Sequence, residues 1–340
     1  MIQISSLLLT SFAIAFLFTG LIRHYALISN LIDVPNQRSS HTQPTPRGGG
    51  MAIVAVFLLS VGGLLALDVL PADQGWAIIG AGAWVAFVGF LDDHRHIAAG
   101  WRLLAHFAGA AWGLYWLGGF PPLPVLGHII DLGGFGHLFG LLYLVWLLNL
   151  YNFMDGIDGI AGIEAVTVCL GGVLLFLLSG QGDLWLEPAL LLVAAVGFLL
   201  WNFPPAKIFM GDAGSGFLGI VLGLISIQSA WLNPNFLWSW LCLLGVFIVD
   251  ATWTLWRRFR RGEKLHEAHR SHAYQFAARR YGSHKTVTLF VGAVNLFWLL
   301  PLAISIGLGL LDGLIGIVLA YLPLLIAAIK FNAGDAENRL

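Results

Sequence analysis

Charge is scarce in this chain. Asp, Glu, Lys and Arg together make up 10% of its residues, against about 25% in a typical soluble domain. Hydrophobic residues account for 58%, and the mean hydropathy is +0.83. Such a chain lacks the polar surface a soluble protein needs, so most of it belongs in lipid. Cysteine is scarcer still. Cys169 and Cys242 lie in apolar runs with no metal-ligand spacing around them, so neither a disulfide framework nor a zinc site is indicated. Net charge is -1 and no stretch is long enough for a soluble basic domain, so no nucleic-acid partner is expected. The N-terminus has neither a basic leader nor a small-residue cleavage site, and its apolar run reads as a retained helix. Fixed-period repeats and low-complexity tracts are also missing, which leaves one domain over residues 1–340.

What is present is a series of long apolar runs. A bilayer core about 30 Å thick needs roughly 20 apolar residues per helix. On that basis eleven spans are expected, near 4–28, 49–69, 75–91, 101–118, 137–153, 160–179, 186–203, 214–231, 236–256, 285–308 and 313–330. The expected fold is all-α, a polytopic transmembrane helical bundle of about 11 spans. Residues 119–136, Gly/Pro-rich and then His128-Ile-Ile-Asp-Leu-Gly-Gly, suggest a small hairpin outside the membrane.

Basic residues set the orientation, because they are retained on the cytoplasmic side. With the N-terminus outside and the C-terminus cytoplasmic, Arg38, Arg47, Arg95, Lys207, the dense group from Arg257 to Arg280, and Arg339 all fall inside. Arg23, Arg102, Lys285 and Lys330 sit at inner helix ends, from which long side chains snorkel. All 17 Lys and Arg are then accounted for, with none outside. The cytoplasmic loops become about 29–48, 92–100, 154–159, 204–213 and 257–284.

Those loops hold the unusual polar chemistry. The first carries Asp33, Arg38, His41 and Arg47; the second carries Asp92-Asp93. Asn152, Asp155 and Asp158 are spaced by three, which aligns them on one ridge if the helix continues. A mid-membrane charge costs about 2.5–3.5 kcal/mol on insertion scales, so acids this near a span call for a partner or a function. Gly211-Asp212-Ala-Gly-Ser-Gly puts an acid in a glycine-rich turn before a helix. Backbone amides there suit a phosphate and the Asp suits a bridging Mg²⁺. His266, His269 and His272 have a three-residue period and would share a helical ridge among arginines, an anion-binding surface in preference to a zinc site. Glu164 and Asp250 are embedded acids, the first a candidate partner for Asp158, the second expected to face the inner surface of the bundle. Asp68, Asp73, Asp131, Asp183, Glu187 and Asp312 read as solvated outer residues.

In order, Asp92-Asp93, Asn152-x-x-Asp155-Gly-Ile-Asp158-Gly, Phe209-Met-Gly-Asp212-Ala-Gly-Ser and the basic histidine loop resemble the motifs of the polyprenyl-phosphate N-acetylhexosamine-1-phosphate transferases, pooled as glycosyltransferase family 4. The resemblance covers about residues 33–275. It implies ten or eleven transmembrane helices and an active site on the cytoplasmic face of the bacterial inner membrane. The reaction it implies is Mg²⁺- or Mn²⁺-dependent transfer of a sugar 1-phosphate from a UDP-sugar to undecaprenyl phosphate, releasing UMP. By the matching motifs, Asp212 looks like the metal ligand. Asp92 and Asp93 are similar to the acid pair that binds metal-pyrophosphate or deprotonates the lipid phosphate. Asn152 and Asp155 look like substrate-pocket residues, and Asp158 with Phe209 resembles the uracil-recognition pair. His269 and His272 match two of three histidines in the family's H-x-H-H element, whose implied role is phosphate contact; Arg38 and His41 of the first loop join the substrate-binding set. Ser271 stands where the middle histidine falls, and His266-Glu267 stands in place of the usual Asp-Arg. Three consecutive histidines are lacking, so the chain is more similar to the branch initiating O-antigen and related surface polysaccharides. The sugar is then GlcNAc, FucNAc or QuiNAc. The implied partners are the bilayer, undecaprenyl phosphate and a UDP-N-acetylhexosamine, with a homodimer left open. The main rival is a secondary transporter with acidic coupling-ion sites, which would hold its acids nearer the bilayer midplane.

Overall fold

The computed structural model of the chain describes residues 2–35, 40–95, 97–180, 184–265 and 269–336. Each of the eleven apolar runs is helical. They form α1 Ile2–Ile28, α2 Met51–Ala66, α3 Ala72–His94, α4 Ala99–Trp116, α5 Gly134–Met154, α6 Ile160–Ser179, α7 Leu186–Asn202, α8 Asp212–Leu232, the pair α9 Asn235–Leu243 and α10 Gly245–Arg260, then α12 His284–Val294 with α13 Leu300–Gly307, and finally α14 Gly313–Lys330. The short α11, Ala273–Tyr281, lies between α10 and α12. Among the described residues seven helices are long and apolar enough to cross a membrane, or eight if the α9–α10 pair is one span. The count of eleven is therefore not reached on length and composition. At about 1.5 Å per residue, the 16 residues of α2 and the 17 of α7 fall short of a bilayer core, and α4 carries Arg102 and His106.

The chain is a multi-pass membrane protein. Large apolar side chains such as Leu9, Leu59, Phe297 and Leu319 are exposed, as expected where lipid is the solvent. At the centre is α8, buried from Ala213 to Ala230. Small residues let neighbours approach it closely. A Cβ on Gly89 of α3 would meet Ala213 Cα at 2.6 Å, and one on Gly219 would meet Leu148 Cα of α5 at 2.6 Å.

Two breaks shape the bundle. The α9–α10 pair bends by 73°, sending α10 out with its basic last turn, Arg257, Arg258 and Arg260. Between α12 and α13 a π segment spans Asn295–Leu299. Pro301 follows it and supplies no N–H, one of the ordinary causes of a widened turn. Asn295 there donates to Glu164 at 2.7 Å and to Thr167 at 2.8 Å. Glu164 thus braces the π segment, and its hydrogen bond goes to Asn295 in place of the expected Asp158. Glu187 also departs from expectation. It is buried, not solvated, and accepts from Gln228 Nε2 at 3.0 Å. Asp183 lies outside the described residues. The hairpin expected within 119–136 is present, with β3 Leu123–Val125 antiparallel to β4 His128–Ile130. A second two-stranded pair joins β1 Ile32–Asp33 to β2 Thr45–Pro46.

Candidate active site

At one end of the bundle the C-termini of α3 and α5 and the N-terminus of α8 converge with the loops that follow or precede them. Their carboxylates open into a cavity of about 310 Å³ lined by Asp93, Asp155, Asp158 and Asp212, with Arg47 and Phe209. The turn before α8 has to be glycine for this. Gly211 has φ +81°, and a Cβ there would lie 2.8 Å from Asp93 Oδ2. That close approach aims the Asp93 carboxylate at the start of α8, where the N–H of Asp212 lies 3.3 Å from Oδ1 and the N–H of Ala213 lies 3.4 Å from Oδ2. Asp93 therefore caps α8 from another helix, at the end where a helix dipole favours an anion. Arg47 donates to the Asp93 carbonyl and sits 4.0 Å from its carboxylate.

Asp92, its neighbour in sequence, points elsewhere and does not line the cavity. It pairs with Arg102 and accepts the N–H of Ile97 at 2.9 Å. The same guanidinium stands 3.6 Å from Asp212, so Arg102 bridges the two acids.

The ridge expected of Asn152, Asp155 and Asp158 is not formed, because α5 ends at Met154 and Asp155 is its C-cap with φ -86°, ψ 53°. The turn after the helix nevertheless brings Asp155 and Asp158 to the same cavity, while Asn152 is not among its lining. Burial, together with the carboxylates of Asp212, Asp93 and Asp158, pushes the Asp155 carboxyl well above the usual range. For Asp158, burial acts upward, but hydrogen bonds from His284 and the Ala206 N–H more than offset it, leaving the group below its ordinary value. His284 Nδ1 lies 3.2 Å from Asp158 Oδ1, and Ala206 N–H donates to Oδ2 at 3.0 Å.

Phe209 walls both this cavity and an adjoining one of about 590 Å³ that also contains Asp158, Gln275 and His284. His41 meets the Phe209 ring edge-on, with centroids 4.8 Å apart. A flat apolar face beside an acid that can accept from N–H groups suits a heteroaromatic base.

The histidine loop departs from expectation. His269 and His272 are not on a helical ridge; they occupy the non-helical stretch before α11, and neither lines the cavity. Their rings stack at 4.9 Å with Phe153 alongside. His272 is the N-cap of α11 and lies 3.3 Å from Asp250. Burial, then His272 and Arg258 beside it, push the His269 pKa down to about 2. Arg38 and His266 lie outside the described residues.

Several site residues were not singled out from the sequence. Arg47 read only as one of the polar residues of its loop and Arg102 only as an inner-end cation, while Asn202, Gln275 and His284 carried no motif. His284 opens a span, a place where an imidazole has little reason to be unless it serves a site, and that was the available signal.

Among the described residues no three His, Cys, Asp or Glu side chains form a ready-made metal cage. This donor set fits Mg²⁺, which takes one or two carboxylates and completes its shell with water and substrate phosphates. Five carboxylates facing one cavity, Asp33 being the fifth, with Arg47 and Arg102 the nearby guanidinium groups, also leave negative charge that a cation would balance.

The glycosyl transferase family 4 pattern matches residues 75–230, the stretch from α3 to α8. The chain is 30% identical over 299 residues to a Bacillus subtilis protein named a probable undecaprenyl-phosphate N-acetylglucosaminyl 1-phosphate transferase, covering 86% of this chain and 82% of that protein. It is 28% identical over 320 residues to the decaprenyl-phosphate N-acetylglucosaminephosphotransferase of Mycolicibacterium smegmatis, covering 83% and 77%. It is also 34% identical over 205 residues to the phospho-N-acetylmuramoyl-pentapeptide-transferase of Moorella thermoacetica, covering 54% and 61%.

Proposed function

The chain belongs to glycosyl transferase family 4, and we propose that it moves an N-acetylhexosamine 1-phosphate from a UDP-sugar to a polyprenyl phosphate, undecaprenyl phosphate in the first instance. The observation that carries this reading is the meeting of Asp93, Asp155, Asp158 and Asp212 with Phe209 in one cavity at one end of the bundle. A transporter with acidic coupling-ion sites is not favoured, because these acids lie at helix ends and not along broken helices at mid-depth.

An oxygen of the lipid phosphate forms a bond to the sugar-bearing phosphorus of the donor, and the bond from that phosphorus to the bridging oxygen breaks. The products are the polyprenyl diphosphate sugar and UMP. Both substrates are anions, so the barrier falls when charge is neutralised and the reacting oxygen is held in line. Mg²⁺, or Mn²⁺, held by Asp212 and Asp155 would supply that neutralisation on the pyrophosphate. Arg47 and Arg102 add fixed positive charge beside Asp93 and Asp212. Phe209 takes the uracil face and Asp158, fixed by His284 and Ala206, takes its edge. Asp93 is the candidate for orienting or deprotonating the lipid phosphate, while Asp92, outside the cavity, acts through Arg102, which it holds beside Asp212.

The cavity end carries the basic residues and faces the cytoplasm of the bacterial inner membrane, the side on which such residues are retained. Relatives named for N-acetylglucosamine make UDP-GlcNAc the first donor to test, with UDP-FucNAc and UDP-QuiNAc next, in the first membrane step of surface polysaccharide synthesis. Purified protein with Mg²⁺, undecaprenyl phosphate and a labelled panel of these donors should release UMP and label the lipid. Failure of every donor to yield UMP overturns the assignment.

A further inference from the structure

Beside the C-terminal half of α11 there is a second crevice, of about 510 Å³, lined by Arg270, Phe276, Arg279, Arg280, Lys330 and Phe331 together with Asn332. Four of its walls are cations and none is an acid. One of them is held by the contacts around it: the Arg279 guanidinium lies 4.5 Å from the Phe276 ring and donates to the Arg270 carbonyl at 3.1 Å. Arg280 and Lys330 are exposed.

Phe331 also belongs to a narrow, mainly apolar groove between α10, α12 and α14, past Val246, Phe290, Val291, Leu324 and Ala327, with Asp250 the one acid in its wall. The two features are therefore continuous. A cationic crevice lies at the last turns of α11 and α14, and a mainly apolar slot adjoins it at Phe331. Phe290 is 64% exposed, so the slot is open to the bilayer.

We infer that this composite site binds one anionic phospholipid of the surrounding leaflet, its phosphate diester in the basic crevice and an acyl chain in the groove. Charge complementarity selects an anion, since Lys and Arg near an anionic leaflet are each attracted to it. The groove selects a lipid over a free anion, since it offers an acyl chain an apolar seat next to the crevice, where packing contacts add to the charge attraction and a free anion has nothing to place. The position argues against the acceptor lipid. No residue of the crevice lines the cavity of the carboxylates, and Arg279 alone also reaches the adjoining one, so a headgroup held in the crevice is offset from the carboxylates. An acceptor phosphate has to touch the carboxylates; the lipid of this site does not. The inference rests on the chain's lying in a bilayer and not on the transferase reading.

Native mass spectrometry of the full chain in detergent tests it, with phosphatidylglycerol and phosphatidylcholine as probes. The wild type should retain phosphatidylglycerol in preference to phosphatidylcholine. The variant R280Q/K330Q should bind phosphatidylglycerol about tenfold or more weakly, from two lost cation–headgroup attractions. A second variant, A327F, fills the groove without touching a charge and should weaken phosphatidylglycerol binding while leaving inorganic phosphate binding unaltered. Unchanged phosphatidylglycerol binding in R280Q/K330Q overturns the proposal, as does equal retention of phosphatidylcholine. Displacement of the lipid by millimolar inorganic phosphate, with A327F behaving as wild type, identifies a free-anion site instead. Displacement by equimolar undecaprenyl phosphate identifies an acceptor site, and either result sinks the phospholipid assignment. UMP release plays no part in these readouts, so failure here and failure of the transferase reading are separable.

Discussion

Asp250 Oδ1 lies 3.3 Å from His272 Nδ1, and the same carboxylate accepts the backbone N–H groups of Ala273 and Tyr274 at 2.9 and 3.0 Å. An acid buried in α10 thereby caps the N-terminus of α11, in concert with the Thr254 hydroxyl, which donates to it at 3.1 Å. His272 and Gln275 add a reciprocal capping box. Because α11 carries Gln275 to the cavity wall, the cap fixes part of the site at a distance. Loss of a helix cap costs about 1–2 kcal/mol. Asp250→Ala should therefore lower the melting temperature of the purified protein and speed tryptic cleavage at Arg270 and Arg279, with Asp250→Asn intermediate. Equal cleavage rates in all three proteins would remove Asp250 from this role.

Asp212 is the residue most exposed to test. Asp212→Asn should leave the protein folded, by an unchanged gel-filtration profile, and reduce UMP release by about a hundredfold or more, the scale seen when one fixed electrostatic contact to a transition state is removed. Chelation of divalent ions should abolish UMP release in the wild type, and added Mg²⁺ should restore it. Retained turnover in Asp212→Asn, or indifference to chelation, takes Asp212 out of a metal site.

Phe209 offers its ring to both adjoining cavities. Stacking of an aromatic side chain on a base contributes about 1–3 kcal/mol, so Phe209→Ala should weaken UMP binding by roughly tenfold, and Phe209→Tyr should retain it. Calorimetric titration with UMP measures this. Equal affinity in wild type and Phe209→Ala would show that the base sits elsewhere.

His269 carries a pH prediction. Its folded-state pKa is pushed down to about 2, whereas in an unfolded chain it titrates near 6.5. Below about 6.5 the unfolded state takes up a proton that the folded state refuses, so this group's contribution to stability is full above that pH and is lost progressively as pH falls. Between pH 7.5 and 5 the melting temperature of the wild type should drop more than that of His269→Asn. A parallel drop in both proteins would contradict the burial of a neutral ring.

Much of the bundle could be read from residue type alone. Every expected apolar run from 4–28 to 313–330 became helix, and the hairpin at 123–130 appeared where Gly and Pro interrupt the pattern, because lipid forces a backbone without other partners into helix. What composition did not show was where a helix stops or bends. The Asn152–Asp158 ridge assumed that α5 continues, yet it ends at Met154. The α9–α10 bend and the π segment at Asn295 are settled by packing against neighbours, which a single-chain pattern does not contain. Glu187 looked like a surface acid for the same reason: its partner Gln228 is 41 residues away.

By itself the amino-acid order determined that this is a multi-span membrane protein with its acids, its Phe209 and its cations gathered in the segments at one end, since hydropathy and charge are properties of each stretch taken alone. Tertiary structure decided which of those groups meet. Only the close packing of Gly89 on Ala213 and of Gly50 on Gly214 brings Asp93 to the start of α8, and only the return of α12 sets His284 against Asp158. A pairing across more than a hundred residues depends on how helices fit together, and that fit is fixed by shape in three dimensions.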